Sequence, residues 1–209
     1  MVTKSEVMTA PEEQAFERIW RVLEEIGTQE RHFNTLQATY RGMASGWLLA
    51  SFSAVGFVIS KSAAIDIEPL LLVSGISLAG SVGIALLWSL DLLVYHRLLD
   101  SCFIEGLILE DRYSWLPPLR HNMMNTQKEE GVLFRVVGFY IGPIVLLICM
   151  CGGALALRLQ AIYGPLYAGA AVFMTLVIAF LAALAIRKKT DNTVALRVRF
   201  MEAGSSSAG

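Results

Sequence analysis

Asp91, His96 and Glu105 share one stretch, WSLDLLVYHRLLDSCFIEGLILED (residues 88–111), which begins as an apolar run and ends as a charged helix. An acid at the edge of a lipid hydrocarbon layer is costly unless it is paired, hydrated or neutralised. Asp91 in such a place could bind a cation, pass a proton or gate a pore. The structural alternative is an ion pair with Arg41 or Arg135, which end spans one and three at a similar depth, assisted by Tyr95 one turn away. That match of depths favours the pair.

Other groups offer less chemistry. Haem ligation from two spans needs histidines at matching depths in the bundle, and of His32, His96 and His121 only His96 approaches a span. Cys149-x-Cys151 lacks the further ligands that would complete a metal set, so both cysteines read as small apolar core residues. Glu105, Glu110 and Asp111 with His121 could make a hydrolytic metal site, but their spacing fits no such motif, and a solvated helix face is the preferred reading. Walker loop, dinucleotide fingerprint, nucleophile elbow and H-E-x-x-H are all missing from the sequence. The expectation is therefore a protein that is not an enzyme and holds no cofactor.

The elements that must position these residues are membrane spans. The 209 residues are 55% hydrophobic and 17% charged, against roughly 45–50% and 25% in soluble domains. Four runs hold the excess: Met43–Ser60, Pro69–Tyr95, Val136–Leu157 and Pro165–Ile186. Each approaches the roughly 20 residues a helix needs to cross a hydrocarbon core about 30 Å thick. The predicted fold is all-α, a polytopic membrane protein with four transmembrane helices and cytoplasmic helical extensions.

Fifteen of the 17 Lys and Arg lie before span one, between spans two and three, or after span four; only Lys61 and Arg158 fall in the other two turns. By the positive-inside rule both termini and the central loop are cytoplasmic. The first apolar run starts beyond residue 40, behind a charged segment, which argues against a cleaved signal peptide. The expected divisions are 1–42, an amphipathic helix; 43–96, a first hairpin; 97–135, a cytoplasmic elbow; 136–186, a second hairpin; and 187–209, a tail. Its terminal GSSSAG carries no fold signal. A net charge of −1 gives no reason to expect nucleic-acid binding.

Phe16, Ile19, Leu23, Ile26, Phe33 and Tyr40 follow a three-four repeat, with Glu30 and Gln37 in two of its slots. They form a helical seam for assembly or for a partner protein, with Gly27 and Gly42 as candidate bends. A helix from Pro69 to Arg112 would be about 65 Å long, twice the hydrocarbon thickness. The membrane should therefore end near residues 88–92 and the rest project as an amphipathic helix, until Pro117 and Pro118 break it. Ser74, Ser77, Ser81 and Ser89 make a small-residue stripe on span two, and Gly138 and Gly142 a G-x-x-x-G pair on span three. Such stripes line wet paths or let helices approach closely, and close packing is preferred.

The segments ASGWLLASFSAVGF, LWSLDLLVYHRLLDSCFIEGLILE and WLPPLRHNMM resemble those of a family of small bacterial four-span membrane proteins without an assigned activity. In layout, the chain also resembles SLATT-type membrane effectors of antiphage defence, although those usually have two spans. With its small-residue spans and amino-terminal seam, the chain is expected to be a homo-oligomer in lipid of the bacterial inner membrane, a channel-like or membrane-perturbing effector controlled through its cytoplasmic helices and, by that layout, one placed in antiphage defence. The alternative is a non-conducting anchor or sensor that recruits a cytoplasmic protein.

Overall fold

The computed structural model describes residues 10–64, 67–126 and 131–206, with side chains described for 13–63, 67–123 and 136–190. The described residues hold no strand. The helices are α1 (Ala10–Ser60), α2 (Pro69–Trp88), a π-helical turn (Ser89–Tyr95), α3 (His96–Arg112), α4 (Leu119–Thr126), α5 (Gly131–Tyr163) and α6 (Pro165–Ser206). Lipid cannot satisfy backbone amides, so each long apolar run closes its own hydrogen bonds as helix. Four of these helical stretches are long and apolar enough to cross a membrane: Glu13–Ser60, Pro69–Arg112, Val136–Tyr163 and Pro165–Thr190.

Helix α1 continues without interruption from the charged segment through the first apolar run, about 75 Å in all. Gly27 and Gly42, expected as bends, lie inside it. The tail expected after residue 186 is likewise the continuation of α6, whose backbone stays helical to Ser206, into the terminal GSSSAG. Lys4 and Lys128 lie outside the described residues, as do the side chains of Arg135, Arg197 and Arg199.

The four spans form two hairpins. Pro165, suited to a helix start, follows Gly164, whose φ of +93° gives the tight turn between α5 and α6 a backbone conformation open to glycine. On the same side, the ion pair between Arg158 and Glu68 at 2.6 Å joins α5 to the start of α2. The larger core cluster, including Ile84, Trp88, Leu92, Tyr140, Ile144 and Leu147, lies in the opposite half of the bundle. Val55, Val58, Val73 and Ala154 form a second, near the turns. Phe57, Leu86, Phe173 and Phe180 point outward and are exposed, the arrangement expected where lipid covers the bundle. Beyond the apolar zone the first half of α1 packs with α3 and α4 as a helical base.

Candidate functional site

The side chains with chemistry gather where the bundle meets this base. There the helix from Pro69 to Arg112 relaxes into π geometry: the amide of His96 donates to the carbonyl of Asp91, five residues back. Such turns are rare and often mark functional positions. Asp91 lies inside the turn with no solvent exposure. Its Oδ2 accepts from Arg41 Nε at 3.0 Å and from the Tyr140 hydroxyl at 2.8 Å. One oxygen thus joins α1, the π turn and α5. Its Oδ1 is buried and accepts no hydrogen bond among the described residues. Of the two cations expected beside Asp91, Arg41 occupies the position, while the Arg135 side chain lies outside the described residues. Tyr95, expected to assist, turns instead to α1: the Tyr40 hydroxyl donates to its hydroxyl at 3.3 Å, with ring centroids 5.1 Å apart. Sequence reasoning missed Tyr140; the only signal for it was a phenol within an otherwise apolar span.

Toward the base the seam on α1 meets α3. Phe33 packs against Tyr95, and the Gln37 amide lies 3.5 Å from His96 Nδ1, a long contact. His96 Nε2 is 3.8 Å from Asp100. Phe16 lies on Trp115 of the elbow, and Ile19, Leu23 and Ile26 are half-buried. From Glu30 to Tyr40 the seam faces its own chain: Glu30 meets Arg120 of α4, Gln37 meets His96 of α3, and Phe33 and Tyr40 meet Tyr95 of the π turn.

Glu30 and Gln37 break the seam's apolar pattern where each has a polar partner. For Glu30 this is a bidentate bond from Arg120, Nε at 2.9 Å and the guanidinium terminus at 3.1 Å. The Arg120 side chain is 8% exposed and that of Glu110 2%. Glu110 accepts the Arg120 amide at 3.0 Å and the His121 amide at 3.3 Å, so its carboxylate caps α4 just past the Pro117-Pro118 break. Negative charge is favourable at a helix start. His121 Nδ1 lies 2.9 Å from Glu110 and Nε2 3.1 Å from Asp111. The hydrogen bond to Glu110 holds the His121 pKa above its ordinary value, against a smaller opposing effect of burial. The solvated face expected for this cluster is therefore incorrect for Glu110, which is interior, and holds for the exposed Glu105 and Asp111. Among the described residues no three His, Cys, Asp or Glu side chains are arranged to hold a metal ion.

The serine stripe turns inward. Ser74 donates to the Leu70 carbonyl at 2.8 Å and reaches the Cys151 carbonyl on α5 at 3.3 Å. Ser77 and Ser81 are buried and Ser89 is half-buried. Within one chain the stripe is a packing face, not the wall of a passage. The glycine pair behaves differently: a Cβ on Gly138 or Gly142 would meet nothing within 4 Å, so these residues do not bring the chain's own helices together. Close approach falls to other glycines. Gly80 faces Ser51, Gly83 faces Trp47, Gly106 lies beneath the Arg120 guanidinium, and Gly152 faces Thr175.

Comparison with protein-family models, with curated proteins and with solved structures finds no match for this chain.

Proposed function

We propose that this chain is an oligomeric bacterial inner-membrane protein, a channel-like or membrane-perturbing effector controlled through cytoplasmic helices, with both termini in the cytoplasm. The observation that carries this reading is the shared Asp91 oxygen. The α2–α3 rod leaves the apolar zone at a π turn, and there a single carboxylate ties it to α1 and α5. Displacing the base strains this junction, and relief comes from repacking the bundle around α5, a two-arrangement change of the kind effectors exploit. The outward Gly138 and Gly142 supply a thin strip for close approach by another copy within the membrane. The setting, by the layout shared with SLATT-type effectors, is antiphage defence. The test is ion or dye flux from liposomes holding the purified protein, across conditions that engage the base. Flux that changes in Asp91→Asn while the particle keeps its mass supports the reading. Absence of flux under every condition refutes it.

The second reading, a non-conducting membrane anchor or sensor that recruits a cytoplasmic protein, is favoured by a different observation. A groove of about 470 Å³ opens between α1 and α4 in the base, clear of the apolar runs. Retention of a soluble partner without any flux would select it.

A further inference from the structure

The base carries apolar surface that lipid cannot cover. Trp20 is 47% exposed, Leu119 60% and Met123 50%. Together with Leu23, Gly27 and Pro117 they line a groove of about 470 Å³ between α1, the elbow and α4. Trp20 stands 23 residues before Met43 on one unbroken helix, about 35 Å along the axis from the start of the first apolar run. Large exposed apolar groups converging on a groove in water mark an interaction surface.

The charges around it select the partner. Glu13, Glu17, Trp20, Glu24, Gly27 and Arg31 follow one another at four- and three-residue steps and so share a face of α1. Three carboxylates stand there against one guanidinium, and Arg31 already donates to Thr28 at 2.9 Å. On the floor Arg120 serves two more carboxylates, Glu30 and Glu110. A second copy suits this surface poorly. Two chains in one membrane are related by an axis along its normal, so they meet at equal depth, and the level of Glu13, Glu17 and Glu24 in one copy is the same carboxylate-rich level in the other.

We propose that the groove between α1 and α4 binds an amphipathic helix of a partner protein, its apolar face seated on Trp20, Leu119 and Met123 and its basic face toward Glu13, Glu17 and Glu24. This inference deepens the cytoplasmic-control reading and rests on it. The mode is helix-in-groove recognition, with anchors at i, i+3, i+4 and i+7, and the volume accommodates two or three large side chains.

Gly27 provides the decisive variant. A Cβ there meets only Arg31 Nη1 at 3.6 Å, an ordinary contact, so Gly27→Leu fills the groove without disturbing the backbone and raises helix propensity. The full chain is placed in nanodiscs of zwitterionic lipid, with empty discs as baseline. A fluorescent amphipathic peptide of leucine and lysine, roughly five helical turns long, is titrated by anisotropy. Expected are salt-sensitive binding, a loss of about tenfold or more in Gly27→Leu, whose thermal transition matches or exceeds that of the wild type, and a several-fold loss in Glu24→Lys. Equal binding of a scrambled leucine-lysine peptide or of a leucine-glutamate peptide overturns the proposal. So does undiminished binding to Gly27→Leu, and a fall in particle mass in that variant makes the occupant a second copy. Flux from liposomes is read on the same preparations. Peptide binding without flux sinks the effector reading and leaves the groove, whereas flux without peptide binding does the reverse.

Discussion

Removing either partner of the Arg41–Asp91 pair should damage the protein unequally, and the structure sets the order. The Asp91 side chain has 0% exposure and that of Arg41 36%. Arg41→Ala therefore strands a carboxylate that cannot reach water, with only the Tyr140 hydroxyl at 2.8 Å left to serve it. Breaking a buried pair in this way costs about 3–5 kcal/mol. Asp91→Asn strands only the half-exposed guanidinium, which can turn toward solvent, and the new amide oxygen still accepts from Tyr140. Its cost is the charge-assisted part of two hydrogen bonds, about 1–3 kcal/mol. The double variant leaves no unpaired charge and should lie near Asp91→Asn alone, so the interaction energy between the two sites equals in size the cost of Arg41→Ala, about 3–5 kcal/mol. Thermal unfolding of the purified protein in nanodiscs, followed by tryptophan fluorescence with particle size checked in parallel, gives the ranking. A transition in Asp91→Asn as low as that of Arg41→Ala would refute the reasoning, because the carboxylate would then be answering to something besides Arg41.

The other expectations concern the base and the glycines. Gly106→Ala and Gly152→Ala place a methyl against Arg120 and Thr175 and should each lower stability by about 1–3 kcal/mol, measured by the same unfolding assay. Gly138→Ala and Gly142→Ala meet open space and should leave the unfolding of a single chain unchanged or slightly improved, so a change of particle mass in these variants would locate a contact between copies. Because the His121 pKa is raised in the folded chain, its clamp on Glu110 is fully present below about pH 6.5 and is lost as pH rises through the raised value. The transition temperature of the wild type minus that of His121→Gln should accordingly be positive near pH 6 and shrink toward roughly pH 9; a constant difference would contradict the clamp. Glu110→Gln takes the charge and one accepting oxygen from the α4 cap and leaves the Arg120 charge with Glu30 alone, so limited proteolysis should cut the elbow between Arg112 and Leu119 faster than in the wild type.

Hydropathy alone revealed the four spans, since runs of that length admit no other structure in lipid. The Arg41–Asp91 contact followed from two charges reaching the same membrane depth, a one-dimensional argument that needs no tertiary detail. Tyr140 was hidden because a phenol in an apolar run signals either core or hydrogen bond, and only the facing of α5 toward the π turn decides. The π turn has no signature in SLDLLVY. The G-x-x-x-G pattern drew attention to Gly138 and Gly142, yet contact depends on which face a neighbour covers, and the glycines that meet neighbours carry no repeat. Glu110 was read as solvated because Pro117 and Pro118 announce a break without giving its direction. That direction folds Arg120 and His121 back over α3. The clearest unused clue was in the seam: a glutamate and a glutamine in apolar slots imply buried polar partners, and Arg120 and His96 stand opposite them.

Those two slots, with Arg41, tie the base to the bundle. Helix α1 meets its partners through polar contacts at Glu30, Gln37 and Arg41, spaced by seven and four residues and therefore on one face. Glu30 holds the elbow, Gln37 approaches the start of α3, and Arg41 holds the π turn. The Gln37 contact is long and is the weakest of the three; the outer two involve buried charges whose separation is costly. Sliding the π turn, α3 and α4 together along α1 would break both charged contacts, the one to Arg120 on α4 and the one to Asp91 in the π turn, so small displacements of the elbow are resisted until both give way. The π turn holds the second contact, and there the rod already bonds five residues back instead of four. Under the proposed control through the base, a displacement large enough to free Arg120 from Glu30 would be absorbed around Asp91, at the oxygen shared with α5.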